Sequence, residues 1–188
     1  MPEEKQDHFF TELLKFALIA AAIVIPVRLY VAQPFIVSGA SMDPTFATGQ
    51  YLIVDELSYH FEEPKRGEVV IFHYPKDPKQ FFIKRIIGLP GETISVNGAE
   101  VRIVNAANPD GFVLDEPYLA SENLGGPTGT EITLSDSEYF VLGDNRRVSS
   151  DSRVWGALPQ ENIIGHVLLR LFPFDMIGLT PGDSEFTR

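Results

Sequence analysis

Two residues have types that could do chemistry if the fold brought them together. Ser41 lies in the stretch "SGASMDPTF", and no histidine is close to it in the sequence. It is therefore either a capping residue in a turn or a nucleophile whose base lies elsewhere in the chain. Lys84 lies in the apolar stretch "FFIKRIIGLPGE". Apolar neighbours would lower its pKa and favour the neutral amine that a general base requires, but an edge-strand lysine in water would also fit the pattern.

A third stretch, "VLGDNRRVSSDSRVWG", could form a rigid loop beside these two residues. Its Asp144, Arg146, Asp151 and Arg153 could build a ring of ion pairs, although the same residues would also suit a purely structural corner. Arg85 needs a carboxylate partner of this kind because it does not lose its proton. Since side chains alternate along a strand, Lys84 and Arg85 are predicted to point in opposite directions and to serve different purposes.

The composition argues against several classes of protein and site. The chain has 188 residues, a formal net charge of -11 and no cysteine. The negative charge argues against nucleic acid as a partner, because phosphate binding needs a basic surface. The lack of cysteine excludes disulfides and thiolate ligands, and the histidines do not have the spacing of a common metal motif. We therefore expect no metal site and no cofactor.

An uninterrupted apolar run, "FALIAAAIVIPV", covers residues 16–27 between two cationic side chains. The run is short for a membrane span, but cations at both ends can reach the interface and allow a span over residues 10–33. We predict a transmembrane anchor there, after a short tail at residues 1–9. A cleavable signal peptide is the alternative, although the bulky Tyr30 stands where such a cleavage would need a small residue.

The rest of the chain, residues 34–188, is predicted to be a mainly β domain. Branched and aromatic residues between Gly and Pro predict strands in "YLIVDEL", "EVVIFHY", "FFIKRIIGL", "EITLSDSEYFVLG" and "IIGHVLLRLFPF". Asn97 and Gly98 separate two alternating runs, which predicts a hairpin with a type I′ turn. Residues 108–130 are rich in turn formers and are predicted to form an excursion on the surface.

Together these stretches resemble the sequence boxes of bacterial type I signal peptidases, which are serine proteases with a Ser/Lys dyad. The resemblance starts at "SGASMDPT" and continues, in the order of the family, through "RGEVVIFHYP", "IKRIIGLPGETI", "DEPYL", "YFVLGDNR", "SSDSRVWG" and "IIGHVLLRLFP". It covers nearly the whole chain after the apolar run. The resemblance implies a signal-peptidase-type antiparallel β-sheet domain preceded by one transmembrane helix.

The resemblance also implies roles for individual residues. Ser41 corresponds to the nucleophile, and its backbone N–H to a donor for the oxyanion, while Lys84 corresponds to the general base. Ser149 corresponds to the hydroxyl that holds the lysine in place, with Ser150 as the alternative. The structural ion pairs near the site would be formed by Arg85, Asp144, Asp151 and Arg153. The candidates for the substrate groove are Phe35, Ile36, Val37, Met42, Pro44 and Phe82.

The implied activity is that of a membrane-bound endopeptidase that removes signal peptides from exported preproteins after small-x-small motifs. The implied location is the bacterial cytoplasmic membrane, with the lipid bilayer as a partner, the catalytic domain on the extracytoplasmic side and a monomeric chain. Some members carry a serine where this chain has Gly39, so the second oxyanion donor stays open. Two alternatives also stay open: a self-cleaving Ser/Lys protease of the SOS-repressor type, and a non-catalytic, membrane-tethered β domain that binds partners.

Overall fold

The computed structural model describes residues 3–30, 32–184 and 186. In these residues one long helix precedes a mainly antiparallel β structure. Two parts of the predicted fold class are therefore confirmed: the β domain and the helix before it. The helices are α1 (Glu3–Tyr30) and α2 (Ser152–Trp155), and the strands are β1 (Ala32–Ile36), β2 (Tyr51–Asp55), β3 (Val69–Tyr74), β4 (Asp77–Gly88), β5 (Thr93–Asn97), β6 (Glu100–Asn105), β7 (Asn108–Val113), β8 (Thr130–Thr133), β9 (Glu138–Leu142), β10 (Leu158–Pro159), β11 (Ile163–Phe172) and β12 (Gly178–Leu179). Among the described residues, no helical segment has the length and hydropathy required to cross a membrane.

A large sheet carries the parts of the chain in which Ser41 and Lys84 lie. In the described residues it has eight strands in the order β1-β2-β11-β3-β4-β9-β10, with β12 paired to β11. β4 pairs with β3 along most of its length but with β9 only from Arg85 onward. The rings of Phe35 on β1 and Phe81 on β4 are 5.5 Å apart. The sheet therefore curves until its first strand approaches the unpaired edge of β4.

A smaller sheet in the order β7-β6-β5-β8 contains the predicted hairpin, but its turn differs from the prediction. Asn97 pairs with Glu100, so the two central residues are Gly98 and Ala99. Only Gly98 has a positive φ, at 63°. A type I′ turn needs a positive φ at both central positions, whereas a type II′ turn needs it at the first position alone. The hairpin is confirmed, and the predicted I′ type is wrong.

The predicted surface excursion at residues 108–130 is wrong for its first part. Asn108–Val113 forms β7, which pairs with β6. Pro109 and Gly111 lower the local strand propensity, and pairing with a neighbouring strand overrides that preference. The rest of the segment leads to β8 with a single short 3₁₀ turn at Ser121–Asn123.

β3 is buried on both faces and joins two of the hydrophobic clusters. Val69 and Ile71 lie in the cluster under the Ser41 turn, which also contains Val37, Met42, Phe46, Leu52, Val54 and Val167. Val70 and Phe72 face the other side, with Ile86, Tyr139, Val141, Trp155 and Leu158. This alternation is what a strand covered on both sides requires. Buried side chains of β3 therefore support the Ser41 turn from below.

Candidate active site

Ser41 lies in a tight turn after β1 that is anchored by buried neighbours. Met42 and Phe46 are fully buried, and the Phe46 N–H donates to the Met42 carbonyl over 2.9 Å. The Ser41 carbonyl accepts a hydrogen bond of 3.0 Å from the N–H of Asn145, in the loop after β9. The backbone of Ser41 is therefore held from two sides, while its side chain lines a cleft.

Lys84 lies on β4 and its side chain reaches Ser41, 43 positions away in the sequence. Its Nζ lies 2.8 Å from Ser41 Oγ and donates to the Ile83 carbonyl over 2.8 Å. Lys84 is 3% exposed. Burial lowers its pKa to about 8, although the carboxylates of Asp151 and Asp144 act in the opposite direction. Near that pH a substantial fraction of the amine is neutral and able to accept the Ser41 proton.

Arg85 points away from Ser41 and forms a two-point ion pair with Asp144. Its Nε donates to Oδ1 over 2.9 Å and its Nη2 to Oδ2 over 2.6 Å. Both side chains are fully buried. The guanidinium also lies 3.9 Å from the centroid of the Tyr118 ring. Lys84 and Arg85 thus have separate sets of contacts, as the alternation along the strand predicts.

A second buried ion pair joins Asp151 and Arg153 in the loop after β9. The Arg153 guanidinium donates from Nε and from Nη2, each over 2.8 Å. Asp151 also caps α2 by accepting the Arg153 N–H over 3.2 Å, and it accepts the N–H of Gly143 over 3.2 Å. These bonds hold the loop in one conformation next to the Ser41 turn.

A third buried ion pair joins Arg146 to Glu116, whereas the sequence predicted Arg146 in a ring of ion pairs within its own loop. Arg146 donates from Nη1 to Glu116 over 2.9 Å, and its Nη2 contacts the same carboxylate. The two side chains are 3% and 5% exposed. Arg146 lies in the charged loop after β9, and Glu116 lies 30 positions earlier in the stretch "DEPYL". Local sequence patterns do not indicate which residues pair over such a separation.

Ser149 lies beside the Ser41 turn without a contact to the lysine. A Cβ on Gly143 would clash with both Ser149 Oγ and the Ser41 carbonyl, so these two groups lie close together. Ser149 is 5% exposed, and its hydroxyl has no hydrogen-bond partner among the described residues. Its role in holding Lys84 stays a prediction. Ser150 is exposed and lines the cleft.

Comparisons with known proteins bear on the family of this chain. The family described as "Signal peptidase, peptidase S26" matches residues 10–172. A probable signal peptidase I-1 of Synechocystis is 38% identical over 88% of this chain and 84% of its own. The chain belongs to the signal peptidase family. The signal peptidase I of Leptolyngbya laminosa is 37% identical over 94% of this chain and 86% of its own. A solved signal peptidase I from Enterococcus faecalis matches over 56% of this chain and 97% of its own, with 31% identity and a TM-score of 0.47.

Membership of the signal peptidase family confirms the resemblance and the enzyme class predicted from the sequence. In this signal peptidase a cleft of about 670 Å³ lies between the end of β1 and the unpaired edge of β4. Its walls are largely apolar, and they include Phe35, Ile36, Val37, Leu52, Ile71 and Phe82. The Phe82 ring lies 5.2 Å from Lys84 Nζ and stacks on Tyr74. Ser41 and Lys84 lie together at one end of an apolar cleft.

Two of the groove candidates lie elsewhere. Met42 is 1% exposed and forms part of the core beneath the turn. Pro44 is exposed and follows a cis peptide bond, and neither residue lines the cleft. Met42 thus faces the core and Pro44 faces solvent, because the tight turn after Ser41 directs successive side chains away from the cleft.

The oxyanion donors are only partly defined by the described residues. The Ser41 N–H donates no hydrogen bond to another described residue, so it is available to an oxyanion. Gly39 has a φ of 98° and exchanges hydrogen bonds with Thr48 Oγ1 through its N–H and its carbonyl. Ser38 is exposed on the wall of the cleft. The described residues contain no group of three potential metal ligands.

Proposed function

We propose that this protein is a signal peptidase I that removes signal peptides from exported preproteins with Ser41 and Lys84. The observation that carries the proposal is the distance of 2.8 Å between Lys84 Nζ and Ser41 Oγ, at a lysine that is 3% exposed. An exposed lysine would stay protonated at neutral pH, whereas burial favours the neutral base. Membership of the family favours this function over self-cleavage and over plain binding.

The chemistry follows from the geometry of these two residues. Ser41 Oγ attacks the carbonyl carbon of the scissile peptide while Lys84 Nζ takes its proton, and the Ser41 N–H stabilises the oxyanion. Lys84 then passes that proton to the leaving amine, and the signal peptide stays bound as an ester on Ser41. Water, deprotonated by Lys84, then attacks this ester, and Lys84 returns the proton to Ser41 Oγ as the bond to Oγ breaks. The signal peptide leaves with a free carboxylate, and the neutral dyad is restored.

The substrate is proposed to bind as an extended strand. The edge of β4 before Arg85 has no partner on the β9 side, and β1 pairs with β2 alone among the described strands. Free N–H and carbonyl groups on such edges can pair with an added strand. The apolar walls of the cleft would then receive small side chains before the cut, which agrees with a small-x-small motif.

We propose that α1 anchors the enzyme in the cytoplasmic membrane, with the β domain on the extracytoplasmic side. Large apolar side chains are exposed along the described part of this helix, including Phe9, Phe10, Leu13, Leu14, Phe16, Leu18, Ile19 and Val24. Water disfavours such a surface, whereas a bilayer covers it. An anchored catalytic domain would meet signal peptides where they emerge from the membrane.

Mass spectrometry of a preprotein incubated with full-length enzyme in detergent tests the function. The wild type is expected to cut once, after a small residue, and Ser41→Ala and Lys84→Ala are each expected to abolish the cut. Lys79→Ala and Ser135→Ala are matched controls at exposed positions outside the cleft, and they should cut normally. Normal cleavage by Ser41→Ala or Lys84→Ala would overturn the dyad. No cleavage by the wild type would leave the binding-domain alternative.

A further inference from the structure

The chain continues past the family match and folds back over the site. We name residues 180–184, together with Phe186, the C-terminal strap. Thr180 begins it by donating its N–H to the Leu168 carbonyl over 2.7 Å. Asp183 accepts a hydrogen bond of 3.4 Å from the N–H of Val69. The family model ends at residue 172, so the strap lies beyond the segment that this model describes.

The strap completes the hydrogen bonds of Arg85. Nη1 of Arg85 donates to the Gly182 carbonyl, and it lies 3.4 Å from Ser184 Oγ and 2.8 Å from the Gly67 carbonyl. A Cβ on Gly67 would clash with the Ser184 carbonyl, so the two backbones are in direct contact. A fully buried guanidinium needs acceptors for all its N–H groups. Asp144 supplies two of these acceptors, and the strap supplies others.

The same segment also contacts the turn that carries Ser41. A Cβ on Gly182 would lie 2.5 Å from Thr45 Cγ2 and 2.9 Å from Phe46 Cε2, so nothing larger than glycine fits without movement. Thr45 Oγ1 in turn donates to Asp144 over 2.5 Å. Further along, the Phe186 and Tyr118 rings form a T-shaped contact with centroids 6.1 Å apart, and the face of Tyr118 covers Arg85. The strap is therefore packed against Arg85 itself and against Thr45, which in turn donates a hydrogen bond to Asp144.

We propose that the C-terminal strap is a positioning element of the active site, which holds Arg85 on Asp144 and the Ser41 turn against the loop after β9. The proposal rests on the proposed function, because it concerns the same dyad. The strap does not line the cleft, so it acts through Arg85 and Thr45 and has no direct contact with a bound substrate.

The electrostatic consequence of losing the strap has a definite sign. The carboxylates of Asp151 and Asp144 raise the pKa of Lys84 against the effect of burial. Each of them is paired with an arginine, Asp151 with Arg153 and Asp144 with Arg85. Arg85 neutralises Asp144. If Arg85 moves off this partner, more of the negative charge acts on Lys84, and its pKa rises. Water entering the loosened site would raise the pKa of Lys84 further.

Two identical substitutions within the C-terminal region test the proposal. Gly182 has a φ of 85° and no room for a methyl group, whereas a Cβ on Gly178 would meet no heavy atom within 4 Å. For a peptide that spans a small-x-small cleavage site, Gly182→Ala is expected to lower kcat about tenfold, because small displacements of reacting groups cost at least that much. KM should stay unchanged, and the rising limb of the pH profile should move to higher pH. Gly178→Ala should match the wild type in all three quantities.

The pH profiles are compared above pH 7 for a structural reason. Asp183 is exposed as a whole, but desolvation of its carboxyl raises its pKa to about 6, with Glu68, His166 and Arg85 as the charged neighbours. In this structure the carboxyl is therefore largely ionised over the compared range. If Gly182→Ala does not fold, a chain that ends at Pro181 replaces it in the same assay.

Three outcomes would overturn the positioning role. The first is that Gly182→Ala has the kcat and the pH profile of the wild type. The second is that Gly178→Ala loses as much kcat as Gly182→Ala. A lower kcat with a lower melting temperature but an unmoved pH limb would reduce the strap to a general stabilising element. The proposed function would fail separately, because Ser41→Ala would then still cleave the peptide.

Discussion

The Arg85 guanidinium and the Asp144 carboxylate form a parallel two-point ion pair, with N–O distances of 2.9 Å and 2.6 Å, immediately next to Lys84. Neither side chain is exposed. Removing one partner of such a pair leaves the other charge buried and uncompensated, which costs about 3–5 kcal/mol. Asp144→Asn is therefore expected to lower the free energy of unfolding by an amount of this size, measured by urea denaturation.

Glu62→Gln is the control for that measurement, because Glu62 pairs with Lys65 at an exposed position. Exposed ion pairs contribute little to stability, and this variant should unfold at the same urea concentration as the wild type. If Asp144→Asn and Glu62→Gln both behaved like the wild type, the buried pair would have no structural role.

The activity should follow the protonation of Lys84. Burial lowers its pKa to about 8, and only the neutral amine can take the Ser41 proton. We expect kcat/KM to rise along a single limb with a midpoint near pH 8 and to level off above it. Initial rates from pH 6 to pH 10 provide the measurement, and a flat profile over this range would contradict the assigned base.

The same lowered pKa makes Lys84 costly for stability at neutral pH. The pKa falls from 10.5 to about 8, so the folded state disfavours the ammonium by about 3 kcal/mol. This cost is present below pH 8 and disappears as the pH rises toward 10.5. Lys84→Met should therefore raise the melting temperature at pH 7 and lose this advantage by about pH 10.5. An unchanged or lower melting temperature at pH 7 would show that burial of the charge is compensated.

Local patterns in the sequence predicted the strands better than the contacts between them. Alternating and branched residues predicted β2, β3, β4, β9 and β11. Such strands can be predicted because the burial of each face determines which side-chain types occur along the strand. β7 was not predicted, because Pro109 and Gly111 interrupt its pattern of strand-forming residues. The hairpin was predicted, but its central residues were not, since they depend on the register of the pairing.

The site could be predicted only in part for a related reason. Composition and spacing left both Ser41 and Lys84 with a structural alternative, and only the resemblance to a family joined them. Their contact depends on the curvature of the whole sheet, which brings β1 close to β4. The contact between the strap and Arg85 could not be predicted from the sequence. Gly182 accepts the hydrogen bond from Arg85 with its backbone carbonyl, and every residue has a backbone carbonyl.

Ser149 should matter for activity more than for stability. Its buried hydroxyl has no partner among the described residues, and an unsatisfied buried hydroxyl costs about 1–3 kcal/mol. Ser149→Ala is therefore expected to keep or raise the melting temperature. If the hydroxyl turns to Lys84 during catalysis, the same variant loses about tenfold to a hundredfold in kcat, in the range of one positioning contact. Ser135→Ala, at an exposed serine outside the cleft, serves as the control, and an equal loss in both variants would contradict the assignment.

Helix α1, the proposed anchor, can be removed without cutting into the β domain. β1 begins at Ala32 and pairs with β2 from that residue onward, so a chain that starts at Ala32 keeps every strand of the large sheet. We expect this chain to cleave a preprotein in detergent with the kcat of the full chain, because no α1 side chain that the structure describes lines the cleft. It should no longer sediment with lipid vesicles, whereas the full chain should. Sedimentation of the shortened chain to the same extent would place the membrane-binding surface on the β domain instead of on α1.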